Sequence, residues 1–479
     1  MNKFILFYLS LSLLTACSQQ TASPPTTDLT PTVPVQWQHN KLTANQVLQN
    51  AWWQAFNDPA LNQLIQQVLE KNNDLAIAAL KVKQARLSAG LTATNLTPDV
   101  STSIAAVKQK SWQQTNPAEQ GNGAVQPASN NYSQENENTK YSSSITLSYE
   151  LDLWGKLADE RAAANFEAQA TEQDRQASAL SLIGTTATLY WKQGYINQLI
   201  TLNQQSLTYT EHSLNIAQAH YQAGASGQLD VLQAEQSVNS QQATLEDLYR
   251  QRDENQNALA ILLDQPPEKK LTQPMALPPQ PLPAIPSQLP AGVLAQRPDV
   301  KAAELRVRSN YATNENTRKG YYPTFSLTSA LSTSSDELRS ALRNPTGSVG
   351  TGLTLPFIEW QTVRLNIAKQ RMIYEQAVRN FRQTFYTALS EVENQLSARQ
   401  HYLNAGTQLA RSLTLAQQTE AISAARYQAG DIEMQSWLDQ QENRRSAEKS
   451  LLENRYQQLT TQMALYQALG GSLASPPVR

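Results

Sequence analysis

Displaced by 206 residues against itself, the chain lays residues 148–264 on 354–470 without a gap. Trp154 then meets Trp360, Ser206-Leu207-Thr208 meets Ser412-Leu413-Thr414, and Tyr221-Gln222-Ala223-Gly224 meets Tyr427-Gln428-Ala429-Gly430. A displacement of 225 pairs Asp74 with Asp299, Val82 with Val307, Pro98 with Pro323 and Ser101 with Ser326. The chain is therefore an internal two-fold sequence repeat, with 19 extra residues between the two blocks of the first copy. Whatever one copy folds into, the other must fold into as well. Repeats this long point to repeated architecture rather than to a single catalytic pocket.

Each copy reads as helix, strand, loop, strand and two long helices. Strands are predicted at about 99–108, 140–152, 323–332 and 348–357 from strict alternation. In 141–151, for example, Tyr141, Ile145, Leu147, Tyr149 and Leu151 alternate with Ser142, Ser144, Thr146, Ser148 and Glu150. In the fourth strand Val349, Thr351, Leu353, Leu355 and Phe357 take the odd positions. Each strand is about ten residues long, the length that a tilted strand needs to cross a bilayer. All 23 prolines lie outside 128–265 and 357–475. Proline inside a helix costs about 3 kcal/mol, so its exclusion predicts very long helices there. Val231, Val238, Leu245 and Leu259 keep a seven-residue step interrupted by Arg252, and Leu438, Leu452, Leu459 and Tyr466 keep it in the second copy. Sustained heptads mean helices packed as coiled coil. From Lys156 to Tyr221 such a helix measures roughly 100 Å, and glycines at 224–227 and 430 are placed to reverse the chain.

The first residues give an address. Lys3 and the apolar run Phe4–Leu14, too short to span a membrane, mark residues 1–16 as a lipoprotein signal peptide. Leu14-Thr15-Ala16-Cys17 resembles the bacterial lipobox, which implies cleavage before Cys17 and a lipid (palmitate) on it. The alternative is an ordinary signal peptide with an incidental cysteine. By resemblance to known lipoproteins, Ser18 rather than Asp beside it implies sorting to the outer membrane. Cys17 is the only cysteine, which excludes disulfides, thiol catalysis and cysteine metal sites. Residues 17–57 read as a lipidated N-terminus and extended tether, 58–264 as the first repeat, 265–296 as a proline-rich linker, 297–471 as the second repeat and 472–479 as a tail. With 40% hydrophobic and 16% charged residues and a net charge of −2, nothing suggests a nucleic-acid partner.

No apolar run near 18 residues exists after the signal, so any membrane crossing must be by strands. Backbone groups in lipid must all be paired, so strands cross only as closed barrels. Four strands do not close a barrel, and the chain must oligomerise to finish one. A dimer gives eight strands, whose side chains nearly fill the interior; a trimer gives twelve and leaves a lumen lined by Ser, Thr and Gly. A soluble α+β protein is the competing reading. Against it, the helices already use their apolar stripes on one another and leave nothing to cover the apolar strand faces.

At this point the residues resemble a family. SYELDLWGK (148–156), AGASGQLDVLQAEQSV (223–238), LAQRPDVKAAE (294–304), YYPTFSLT (321–328), LDQQENRRSAEKSLLENRYQQL (438–459) and LYQALGG (465–471) are similar to the TolC-like outer-membrane factors. The likeness is to the lipoprotein branch that serves resistance–nodulation–division (RND) efflux pumps. The resemblance implies a mixed α and β membrane protein: a homotrimeric 12-stranded β-barrel, four strands per chain, continued by a long periplasmic coiled-coil α-helical barrel. It implies outer-membrane lipid, a periplasmic adaptor and an inner-membrane RND transporter as partners, export of drugs or other toxic compounds, and no enzymatic activity. No cofactor is expected beyond the lipid on Cys17. One departure is Ile358-Glu359-Trp360-Gln361, where the family usually has a glycine-containing turn beside an Asp.

The YQAG turns are expected at the far end of the helices, where an open tube would leak. Asp230 follows the first turn; Asp431, Glu433 and Asp439 follow the second. Three copies would bring these acids together around an axis, where burial and like charge set their protonation and cation affinity. The alternative for each is a solvated helix-start residue favoured by the helix dipole. The resemblance adds Asp439 as a constricting residue and Tyr427 as a latch tyrosine. Tyr221 is its repeat mate, and Arg426 offers a cation to an acid on a neighbouring helix. His39, His212, His220 and His401 read as solvated residues rather than metal ligands, and Trp52-Trp53 as packing around the helices. Two other functions stay open: the channel of a type I protein secretion system, and a non-transport lipoprotein spanning the periplasm.

Overall fold

The computed structural model describes residues 51–113, 134–267, 274–285, 296–340 and 342–471, together with 32, 34, 35 and 37. The signal peptide, Cys17, His39 and the tail 472–479 lie outside the described residues. The elements run α1 (Pro59–Lys71), α2 (Asn73–Ala93), β1 (Asp99–Gln113), β2 (Gln134–Leu151), α3 (Lys156–Gln222) and α4 (Gln228–Leu262). Then come α5 (Pro298–Lys319), β3 (Thr324–Ser335), β4 (Pro345–Thr354), α6 (Trp360–Gln428) and α7 (Met434–Ala468). The order is the same in both halves, except that the first opens on two helices. Among the described residues no helix is long and apolar enough to cross a membrane.

The chain forms two compact units. One gathers the described residues of Lys83–Gln169 and Leu305–Tyr374, and its centre is a single antiparallel sheet in the order β1-β2-β3-β4. Register fixes its two faces, because directly opposed residues share a side. Val100 opposes Leu147, Ile145 opposes Leu331, and Phe325 opposes both Leu151 and Leu353. Ser103 opposes Ser144, and Ser326 opposes Gly352. One face thus gathers most of the large apolar residues, with Thr102, Ser143, Ser329, Gly347 and Thr351 among them; the other is mostly Ser, Thr and Gly.

Strand ends differ from the alternation, and in the second hairpin β3 runs on to Ser335 while β4 begins at Pro345. The first hairpin is longer than expected, since β1 and β2 pair as far as Gln113–Gln134 while β2 and β3 stop at Tyr141–Ser335. The fourth strand ends at Thr354 rather than 357. Pro356 has no N–H for a ladder, and it opens a short 3-10 turn, Pro356–Ile358, instead. Its counterpart in the first half is built differently. There Gly155 takes φ +75°, and the Asp152 carboxylate accepts from the N–H groups of Leu157 (3.1 Å) and Ala158 (2.8 Å). In the second half Ile358 and Gln361 stand at those places, and no residue of the turn has positive φ.

The other unit gathers the described residues of Met1–Val82, Ala170–Glu304 and Glu375–Arg479. Its main core joins α1 and the turn before it to α3, α6 and α7 through Trp52, Phe56, Leu61, Ile65, Trp191, Val392 and Tyr466. Phe56 lies 4.8 Å from Trp191, and Trp52 meets Tyr466 edge-on at 5.6 Å. Asp58 caps α1, accepting from Ala60 and Leu61 at 3.1 Å, and Pro59 supplies the preset first turn. Between the halves, 274–285 is a strap rather than a loose link. Asn197 donates to Pro274 O (2.9 Å), Arg455 to Pro278 O (2.8 Å) and Tyr466 to Ala284 O (2.7 Å). Gly194 admits it, since a Cβ there would stand 2.9 Å from Ala276 O.

The heptad seam of α4 is real and partly polar. Ala234, Val238, Gln241, Leu248, Asn255 and Leu259 are its buried positions. Gln241 accepts from Asn203 at 2.9 Å, while Asn255 donates to Gln193 (2.9 Å) and to Leu189 O (3.0 Å). Arg252, which interrupts the apolar step, lies over the Tyr249 ring at 5.0 Å. Polar layers of this kind fix register between long helices that could otherwise slide by a heptad.

Candidate functional site

Two places carry the functional geometry, and each lies within one unit. The first is the sheet. Its apolar side is bare: Ile104 is 89% exposed and Val349 78%. From Leu151 to Tyr141 along β2, that side spans about 25 Å at the usual strand rise and tilt, the height of an outer-membrane apolar band. Its other side is lined by hydroxyls, with Ser103 and Ser144 hydrogen-bonded at 2.8 Å. The charges here are few, and Glu150 is paired with Lys156 at 2.9 Å. Among the described residues β1 and β4 are each bonded to one neighbour, so both edges offer open backbone groups.

The second place is the helix-turn end. α3 stops with Gly224 at φ +69° and α6 with Gly430 at φ +79°. In both, the glycine N–H reaches back to a tyrosine carbonyl (Tyr221 at 3.0 Å, Tyr427 at 2.9 Å). The next N–H reaches one residue further, to His220 O (2.8 Å) or Arg426 O (2.9 Å). This is the Schellman closure in both copies, and glycine is required because left-handed φ strains any residue with a Cβ.

The side chains around the turns have diverged. Tyr221 is half exposed, whereas its mate Tyr427 is buried, stacked between His220 (5.4 Å) and Trp437 (5.2 Å). Burial pushes the Tyr427 phenol up, with Asp230 adding to the effect, and its hydroxyl has no hydrogen-bond partner among the described residues. His220 is therefore a half-buried packing residue, not a solvated one. Asp230 is half-buried in the first turn of α4. Asp431, Glu433, Arg426 and Asp439 are exposed; Asp439 accepts from Gln435 at 2.7 Å, and Arg426 forms no ion pair among the described residues. Among the described residues no group of three His, Cys, Asp or Glu side chains is placed to hold a metal.

Sequence reasoning missed the best-built group at this end. Glu420 on α6 is 4% exposed, and its carboxylate joins three helices. It accepts from the Tyr209 hydroxyl on α3, from Trp437 Nε1 on α7 at 3.1 Å, and from Arg444 on α7 at 3.4 Å. Arg444 also pairs with Glu448 at 3.2 Å and lies over the Tyr209 ring at 5.5 Å. Burial, with the hydrogen bond to Glu420, pushes the Tyr209 phenol up to about 12. The repeat held the signal. Where the second copy has Glu420, Trp437 and Arg444, the first has Leu214, Val231 and Val238.

A model of the outer membrane efflux protein family matches residues 64–264 and 289–471. The chain is 29% identical over 443 residues to the "Toxin and drug export protein A" of Aggregatibacter actinomycetemcomitans, covering 91% of each chain. It is 29% identical over 473 residues to the pyoverdine export outer membrane protein OpmQ of Pseudomonas putida, covering 98% of each. Its fold is similar to that of the outer-membrane channel OprN, with a TM-score of 0.80 over 94% of this chain and 99% of the other at 23% identity.

Proposed function

The chain belongs to the outer membrane efflux protein family, and from that membership we propose that three copies close a twelve-stranded barrel around a passive export conduit. It is the outer-membrane channel component of a tripartite efflux pump that exports drugs and other toxic compounds. The observation that carries the assembly is the sheet: one apolar side of bilayer height, one hydroxyl-lined side, and two unpaired edges. β1 and β4 run antiparallel to one another in the meander, so β4 of one copy accepts β1 of the next and the ring ends without an edge. Three copies give a bore too wide for side chains to fill, which suits a conduit.

The remaining parts follow from the same reading. Cys17 carries the lipid that anchors the N-terminus in the outer membrane, and the long helices continue the conduit into the periplasm. A periplasmic adaptor and an RND transporter dock there, and the transporter supplies the energy and the choice of cargo. At the turn end, Asp230, Asp431, Glu433 and Asp439 of three copies form an acidic constriction, with Tyr221, Arg426 and Tyr427 around it. The test is an outer-membrane fraction run without heating, where an SDS-resistant trimer that collapses on boiling is expected. A monomer in both lanes would contradict the assembly. Because one relative is named for toxin as well as drug export, a deletion strain should be scored for drug susceptibility and for protein secretion together. Hypersensitivity with normal secretion assigns the efflux role; the reverse assigns protein export.

A further inference from the structure

The helix ends that adjoin the strands touch one another in a fixed order. The turn after α2 reaches α3, where Asn95 donates to Glu160 (3.1 Å) and accepts from Arg161 (2.9 Å). α5 reaches α3: Ser309 donates to Ala163 O and Asn316 to Lys156 O, both at 2.9 Å, and Lys319 pairs with Asp159. α5 and the turn after it reach α6, where Asn366 donates to the Tyr321 hydroxyl at 2.9 Å and Tyr374 meets Tyr311 at 5.6 Å. The row is α2-α3-α5-α6. α2 leads into β1 and α6 follows β4, so the row ends on the same two elements as the sheet.

The internal repeat specifies what belongs on those ends. α2 is the mate of α5 at a displacement of 225, and α6 is the mate of α3 at 206. A contact of α6 with α2 is therefore the mate of the α3–α5 contact. Its side chains have changed in kind. The ion pair Lys319–Asp159 has Thr94 and Leu365 as mates, while Asn316 and Glu167 have Leu91 and Ile373. Leu91 is 71% exposed and Leu365 58%, with Leu87 and Met372 bare beside them. The indoles differ in the same way. Trp154 donates to Pro323 O at 2.7 Å, whereas its mate Trp360 is 67% exposed and the mate of Pro323, Pro98, is exposed where β1 begins.

We propose that α6 of one copy packs against α2 of the next through Leu365, Met372 and Ile373 on Leu87 and Leu91, with the Trp360 indole donating to Pro98 O of that copy. The proposal rests on the barrel reading, which sets β4 beside the next β1 and so α6 beside the next α2. The occupant is a second copy because the chain already holds the mould of the contact, built once between its own α3 and α5. Aliphatic side chains suit a contact between copies, since their burial drives association, whereas an ion pair must first lose its water. A buried indole N–H needs an acceptor, and the proline carbonyl supplies it in both settings.

The test grafts the ion pair of the first repeat onto the proposed seam. Leu365→Asp sets a carboxylate there, and Thr94→Lys added to it copies Asp159 with Lys319. Leu365→Asp alone is expected to lower the temperature at which the SDS-resistant trimer collapses, and the double variant to recover at least half of the drop. In parallel, Thr94→Cys with Leu365→Cys, bridged by a short bis-methanethiosulfonate, is expected to give covalent dimers and trimers several-fold above either single-cysteine variant. Lys81→Cys with Leu365→Cys, more than three turns out of register, should stay at the single-cysteine level, and protein without an added cysteine gives the background. A double-charge variant no more heat-resistant than Leu365→Asp, or crosslinking that ignores register, would overturn the seam and leave the barrel standing. Absence of a trimer in the unaltered protein is a different failure: it removes the barrel reading and the seam with it. Should Leu365→Asp fail to assemble, the cysteine pairs decide between the same outcomes.

Discussion

Replacing Glu420 by leucine should loosen the turn end by an amount that the geometry bounds. The substitution leaves the Arg444 guanidinium without its buried carboxylate and the Trp437 N–H without an acceptor. Removing one member of a fully buried ion pair costs about 3–5 kcal/mol, mostly from the charge left behind. Arg444 is 31% exposed and keeps Glu448, and Tyr209 as a residue is only half-buried. The cost should therefore fall to about 2–3 kcal/mol. Glu420→Leu combined with Arg444→Val copies the first repeat, which has Leu214 and Val238 there, and removes the stranded cation. The double variant should recover at least half of the loss. Denaturant unfolding followed by helical circular dichroism, at one fixed protein concentration, measures both. A single-variant cost below about 1 kcal/mol, or a double-variant cost equal to the sum of the two singles, would refute the reasoning.

Gly224→Ala and Gly430→Ala each place a Cβ at left-handed φ and should cost about 1 kcal/mol in the same assay, whereas Gly227→Ala, in extended backbone at the start of α4, should cost less. The Tyr209 phenol is raised from 10.0 to about 12, so the folded state holds its proton longer than the unfolded chain. Stability should then be flat with respect to this group below pH 10 and fall between pH 10 and 12; Tyr209→Phe should make that limb shallower, the other buried tyrosines keeping their share, and an unchanged alkaline limb would count against the node. Asp439→Ala should raise single-channel conductance in planar bilayers if the exposed acids narrow the turn end, and an unchanged closed conductance would remove Asp439 from the constriction.

The fold was legible wherever one strong local rule acted alone. Proline exclusion marked α3 and α6, and alternation marked the middles of all four strands. Strand ends were less legible because different forces set them. Beyond Val107 the first hairpin sets Lys108-Gln109-Lys110 against Glu137-Asn138-Thr139, so alternation of hydrophobicity is silent there although the backbone pairing continues to Gln113–Gln134. At the other end, Leu355 and Phe357 kept the alternation going while Pro356 had already ended the ladder. The Glu420 node was invisible because Glu, Arg and Tyr in a helix read as a solvated face. Their burial depends on α3, α6 and α7 meeting, which no local window contains. Only the contrast between the two copies, charge in one and aliphatic side chains in the other, marks the place.

Imaging the protein from outer membranes, reconstituted in lipid nanodiscs, tests the assembly most directly. The account predicts a particle with a threefold axis, twelve strands crossing the disc and β4 of each copy hydrogen-bonded to β1 of the next. A single chain with free sheet edges, or a particle of any other symmetry, would contradict it.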